Sequence, residues 1–299
     1  MPLRVIRDRP TDRNRFSGLS GSLMFKARVL SPVHIGSGGP SIGGLEELAA
    51  KMKEGEVSPE ELKGGEEIFD AIRISGKPAI PGSSLKGAVR SRLELSFKGK
   101  NGSVPSCFSV TGMVEKPSWR HMEIYGSSRE DRGPPCNYLR YGTVCKVCDI
   151  FGAPGLASRV HFPTLFFERT ELMDTEAGKL AVIPEGLEST GKLLFHGMEP
   201  YEMGLVLVGI GNGKPLLIGA MKYRSEMGRI LITPISWGFM KYSKGILEEL
   251  GVDKKEDGTL TVDSDSLNLW NKLVEEARRR YKDYLVEEDF DAKAKKIGY

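Results

Sequence analysis

The sequence predicts an α+β fold, and three observations carry that prediction. Apolar and polar residues alternate from Leu23 to Leu30, the pattern of a half-buried strand. Behind a Pro81-Gly82 turn, Leu85, Ala88, Val89 and Leu93 fall at helical spacing. Near the end of the 299 residues, Leu267, Trp270, Leu273, Val274, Ala277, Tyr281 and Leu285 form one stripe of an amphipathic helix. No internal repeat is visible. The chain reads as one elaborated domain, with its core in 17–97 and 150–240 and a C-terminal helix over 265–287.

Taken in order, residues 1–16 are polar and rich in arginine, and a loose arm is expected there. The first strand ends at Ser31-Pro32, and His34 then leads into the Gly36-Ser37-Gly38-Gly39 loop, which lets backbone come close to a partner. Residues 45–67 hold eight glutamates against three lysines and read as an acidic insertion, with a helix start at Ser58-Pro59-Glu60-Glu61. A strand from Ile68 to Ile74 leads into the helical stretch at Ile80–Arg92. Ser83 and Ser84 are both candidate caps there, and an N-terminus of this kind attracts phosphate; Lys86, Arg90 and Arg92 add full charges.

From Lys98 to Asp149 the chain loses periodicity. Cys136, Cys145 and Cys148 are spaced as metal ligands, because a Cys-x-x-Cys turn supplies two of the four that zinc takes. His121 is the expected fourth ligand and Cys107 the alternative. This segment is the possible zinc-binding lobe, with structural Zn2+ as its cofactor. Further strands are expected at Leu165–Leu172, Lys179–Ile183, Leu193–His196 and Gly204–Val208. Gly209–Lys214 is not a Walker loop, since Val208 stands where a glycine is needed and Pro215 follows the lysine. The last dozen residues are charged and expected to fray.

Composition excludes several classes. No run approaches the roughly 20 apolar residues of a membrane span, and no signal peptide is read, so no membrane partner is expected. Four cysteines, three of them clustered, point to a reducing cytoplasm rather than a disulfide framework. The net charge of +3 combines an acidic insertion with a moderately basic remainder, as suits a nucleic-acid binder.

Ile80-Pro81-Gly82-Ser83-Ser84-Leu85-Lys86-Gly87-x-x-Arg90 closely resembles the signature of the RAMP superfamily of CRISPR interference complexes. His34–Gly39 and the glycine-containing stretch from Gly209 to Arg229 agree with it in order, and Ile150-Phe151-Gly152 resembles the family's phenylalanine-glycine step. The order resembles the repeated backbone subunit of type III effector complexes. The resemblance implies a ferredoxin-like, RRM-type core bearing the acidic insertion and the zinc lobe. It implies a guide-RNA-binding subunit, with complementary target RNA, other effector subunits and copies of itself or paralogues as partners. His34, Ser83, Ser84, Lys86, Arg90, Lys222, Arg224 and Arg229 are the RNA contacts it suggests.

Type III backbone subunits typically cleave target RNA with an aspartate and Mg2+ or Mn2+. The family's Ile-Gly-x-x-Asp corresponds here to Ile42-Gly43-Gly44-Leu45-Glu46, with Glu in place of Asp. Asp70 is the preferred catalytic candidate, with Glu46 and Glu66 as alternatives. The alternative function is a guide-RNA processing endoribonuclease of the same superfamily, in which a histidine acts as general base.

Overall fold

The computed structural model describes residues 2–14, 17–42, 67–109, 118–175, 178–252, 261–262 and 265–298. Glu46, Glu66 and nearly all of the acidic insertion lie outside them. The described chain is a mixed α+β structure. Among the described residues, no helix is long and apolar enough to cross a membrane.

The main sheet is built on β1 (Leu19–Ser31), the strand expected from alternation. Leu19, Leu23, Phe25, Ala27 and Val29 are fully buried, while Lys26 and Arg28 face out. After it come α1 (Gly82–Ser96), the two-residue β2 (Val160–His161), β3 (Glu188–Met198), α2 (Pro200–Ile210) and β4 (Arg229–Phe239). β1 pairs antiparallel with β3 on one side and β4 on the other, so Lys26 faces both Thr190 and Thr233. β2 joins the free edge of β3, and the strands run β4-β1-β3-β2 across the sheet. Leu216–Leu217 extends the sheet beyond β4. A second sheet orders Glu171–Thr175, Gly178–Val182, Glu67–Ala71 and Gly36–Ile42.

The strand expected at Gly204–Val208 is helix α2. Pro200 opens it, and Glu199 and Glu202 form a reciprocal capping box. The run is apolar on every side because it is buried on every side, so it lacks the alternation of a half-exposed strand. Its glycines allow that burial: a Cβ on Gly204 would lie 1.9 Å from the Leu273 carbonyl oxygen, and one on Gly209 2.8 Å from that of Val89. α2 is thus held between α1 and α3 (Ser266–Arg280), which is the expected C-terminal helix with a shorter end. The Trp237 indole N–H donates to the Ser266 carbonyl at 3.1 Å and ties α3 to β4.

Two segments expected to be loose are held. Arg4–Val5 pairs in parallel with Ser103–Val104, Asp8 bridges Val144, and the Thr11 hydroxyl donates to Asp149 at 2.9 Å. The C-terminal helix Phe290–Ile297 docks beside Trp119–Ile124, with Phe290 against Tyr125 and Asp291 paired to Arg229.

Candidate functional site

α1 begins directly after Pro81, and no side chain caps it. Ser83 and Ser84, read as caps, instead occupy its first turn. Gly82 is required there because a Cβ would meet the Phe162 carbonyl oxygen at 2.3 Å. Farther along, Ser84, Gly87, Ala88 and Ser91 recur at helical spacing and form a narrow face of small residues. That face is one wall of a cleft of about 950 Å³.

The cleft brings together stretches far apart in sequence. Ile35 and Gly36 come from the first glycine loop, and Gly219, Ala220, Lys222 and Tyr223 from the late one. The two loops touch: the Ala220 N–H donates to the His34 carbonyl at 3.4 Å, and a Cβ on Gly219 would lie 2.5 Å from that oxygen. Only glycine permits this approach, and its φ of +91° is also one that suits glycine. Lys222 donates to the Gly219 carbonyl at 3.0 Å and lies 4.8 Å from the Tyr223 ring. Burial lowers its pKa.

The structure redistributes the other expected RNA contacts. His34 is buried and donates from Nδ1 to the Ala181 carbonyl at 2.9 Å, pinning the loop to the second sheet. Arg229 is buried, ion-paired with Asp291 at 2.7 Å and bonded to the Ser225 carbonyl. Arg90 donates to the Glu94 carboxylate at 2.7 Å, the Gly152 carbonyl at 2.9 Å and the Cys148 sulfur at 3.1 Å. The Nδ1 of His34 and the guanidiniums of Arg229 and Arg90 are thus engaged within the protein. Lys86 is half-buried on a different side of α1 from the cleft. Ser83 and Arg224 are exposed, and Ser84 and Lys222 line the cleft. Asp70 is exposed on the strand Glu67–Ala71.

The cysteines converge. The sulfurs of Cys107, Cys136, Cys145 and Cys148 all lie within 4.8 Å of one another, and all four residues are buried. Cys107 approaches Cys148 at 3.5 Å and Cys145 at 3.7 Å. A tetrahedron with metal–sulfur bonds of about 2.3 Å has edges of about 3.8 Å, so the quartet is compatible with zinc. Four thiols at this separation cannot all ionise by themselves. Contact with Cys107 pulls the Cys136 thiol down, and contact with Cys107 pushes those of Cys145 and Cys148 up. A divalent cation would take all four as thiolates.

Cys107, the alternative fourth ligand, therefore stands where His121 was expected. His121 packs instead between Tyr125 and Tyr223, with ring centroids at 5.0 and 5.4 Å, and lines the cleft. Its Nδ1 is buried without a hydrogen-bond partner. Burial and the nearby Lys222 lower its pKa.

Sequence reasoning missed the charged groups around these features. Arg132 donates to the carbonyls of Glu94 and Ser106 at 2.9 and 3.1 Å and covers the Phe108 ring at 3.8 Å. Arg159 bridges Asp149 and Glu202 at 2.8 and 2.7 Å. The Arg90–Glu94 and Lys146–Asp149 pairs do carry a sequence signal, the i,i+4 and i,i+3 spacings on a helix.

Among proteins of curated function, none matches the chain. The family model of the RAMP superfamily matches residues 26–172, just under half of the chain, from within β1 through the signature helix and the cysteine quartet, and over that stretch the chain is similar to RAMP proteins.

Proposed function

We propose that the chain is a guide-RNA-binding backbone subunit of a type III CRISPR ribonucleoprotein. One observation carries this reading. Both glycine loops and the small-residue face of the signature helix line a single cleft, although they are far apart in sequence. RAMP proteins bind RNA in CRISPR complexes. The wall of glycine, alanine and serine beside Lys222 admits a ribose–phosphate backbone closely, as suits a protein that grips the backbone and leaves sequence to base pairing. The β4-β1-β3-β2 strand order, with α1 and α2 in the connections, supports a ferredoxin-like core. The quartet supports structural Zn2+ held by Cys107, Cys136, Cys145 and Cys148.

Gly87 offers a clean test, because an added Cβ there meets nothing within 4 Å. Gly87→Ala should leave the affinity for guide-length RNA unchanged, while Gly87→Glu places a negative charge in the cleft and should reduce it at least about tenfold. Lys222→Ala should flatten the dependence of log affinity on log salt by about 0.7, the loss of one phosphate contact on a single strand. Equal affinity of all three variants with the wild type would remove this cleft from the RNA path.

Cleavage is a separate question. Asp70 is our candidate for metal-dependent cutting of complementary target RNA by the assembled complex, in which other effector subunits and copies of the chain take part. One observation favours the processing endoribonuclease as a second reading: His121, Lys222 and Tyr223 share the cleft, and the imidazole there is held neutral, as a general base must be. The assay is cleavage with magnesium or with chelator. Cutting that needs magnesium or manganese and stops in Asp70→Asn supports the first reading. Cutting that survives chelator and stops in His121→Ala supports the second.

A further inference from the structure

The cysteine quartet receives hydrogen bonds from both backbone and arginine. The N–H groups of Cys107 and Cys145 donate to the sulfurs of Cys145 and Cys136 at 3.4 and 3.2 Å. Arg7 Nε donates to Cys136 Sγ at 3.4 Å, and Arg90 Nη2 to Cys148 Sγ at 3.1 Å. Four thiolates around a divalent cation leave two negative charges in excess, and a buried site must balance them within the protein. Two guanidiniums supply that balance. Arginine suits the place because it stays charged and donates from a rigid planar fork.

The two arginines differ in what else they hold. Arg7 comes from the N-terminal arm and also donates to the Pro134 carbonyl at 2.8 Å. Arg90 stands on α1, the helix that walls the cleft. Its fork also binds Glu94 and the carbonyl of Gly152, the residue that ends the short helix Lys146–Phe151 begun at Cys145. One side chain thus joins α1 to Cys148 and to the C-terminal end of the helix that carries it.

We propose that Arg7 and Arg90 complete the metal centre by balancing its charge, and that through Arg90 a bound metal holds α1 in the position that shapes the RNA cleft. Metal occupancy and RNA affinity are then linked, each raising the other by the same factor. Arg90 acts as a positioning residue rather than an RNA contact. The inference rests on reading the quartet as a metal site and the cleft as the RNA interface.

The test uses the full chain and its Arg7→Gln, Arg90→Gln and Arg90→Lys variants. Zinc affinity is measured by competition with a chromogenic chelator, cobalt(II) spectra report the thiolate donors, and RNA affinity is measured with and without metal. Arg7→Gln and Arg90→Gln should each weaken zinc binding about 10–100-fold, as removal of outer-shell partners does. The sulfur-to-cobalt charge-transfer band should persist in both, showing that the four cysteines still bind. Arg90→Lys should recover part of the zinc affinity by restoring the charge. Metal removal should weaken RNA binding about fivefold or more in the wild type and in Arg7→Gln, the lower end of ordinary coupling. In Arg90→Gln the RNA affinity should no longer respond to metal, and the amides of Gly82–Ser96 should exchange hydrogen at one rate with or without it. Zinc affinities within twofold of the wild type in both Gln variants would overturn the charge-balancing role. Metal-dependent RNA binding that survives in Arg90→Gln would overturn the link. A wild type that takes up neither zinc nor cobalt fails at the metal reading and takes the inference with it. A wild type that binds zinc but no RNA fails at the cleft reading alone, and the zinc affinities still decide the role of the arginines.

Discussion

The layered core and the segment from Phe97 to Arg159 are ordered by opposite means. In the core, β1, β3 and β4 bury Leu23, Phe25, Leu193, Phe195, Ile232 and Trp237 against α1, α2 and α3. Stability there comes from apolar area, spread over many side chains, none of which is directional. Among its described residues the segment has only short helices and two-residue strands, and directional groups add to the apolar contacts it makes with the core. Arg132 gathers the carbonyls of Glu94, Ser106 and Phe97, the cysteines converge on one point, and Arg159 locks Asp149 to Glu202. An apolar core tolerates the loss of one contact in proportion to the area lost. A buried polar network fails at the first missing partner, because what remains is a charge without solvent or counter-charge.

The comparison breaks most sharply at Arg159, whose side chain is 1% exposed and faces carboxylates that are 4% and 1% exposed. Arg159→Ala should destabilise the fold by about 3–5 kcal/mol, because Asp149 and Glu202 lose their most buried counter-charge and keep only Arg13 and Lys146. Gly204→Ala in the core puts a methyl 1.9 Å from the Leu273 carbonyl oxygen and should cost about 3 kcal/mol, the upper end of ordinary overpacking, because α2 and α3 must part by about 1 Å. Denaturant unfolding monitored by circular dichroism measures both. If Gly204→Ala proves the costlier, rigidity resides in the helix packing and the two regions are not held as described.

This difference in means is also why one region was legible in the sequence and the other was not. Alternation marks β1 because Lys26 and Arg28 face out between the buried Phe25, Ala27 and Val29, and the stripe of α3 marks a helix with one wet side. α2 defeats the same reasoning, because burial on all sides erases the period and leaves only Glu199, Pro200 and Glu202 as signs of a helix start. In the segment, Cys145 and Cys148 were legible through their spacing. Cys107 was harder, since chain distance says little about proximity where no regular element intervenes. Arg7 and Arg90 illustrate a further limit. Arg7 reads as part of a loose arm and Arg90 as a phosphate contact, and nothing local says that their forks point to cysteine sulfurs and backbone carbonyls.

His121 gives the smallest effect and the sharpest test of how completely the polar segment is satisfied. It lies on the short helix Trp119–Ile124, and its Nδ1 is buried without a partner, whereas Arg132 in the same segment uses all three of its guanidinium nitrogens. Burial, reinforced by Lys222, lowers its pKa below the ordinary 6.5. As pH falls through 6.5 the unfolded chain takes up the proton first, so the unfolded state binds more protons and stability declines. The decline continues until the pH reaches the lower folded value, below which both states are charged and no further loss occurs. His121→Phe removes the titration and keeps a ring among Tyr125, Tyr223 and Phe290. The variant should match the wild type near pH 8 and exceed it progressively below pH 6.5, read as the difference between two unfolding midpoints measured at each pH. Thiol protonation and metal loss affect both proteins alike and cancel in that difference. Parallel profiles for the two proteins would mean that the imidazole finds a partner in solution, and that the segment is satisfied throughout.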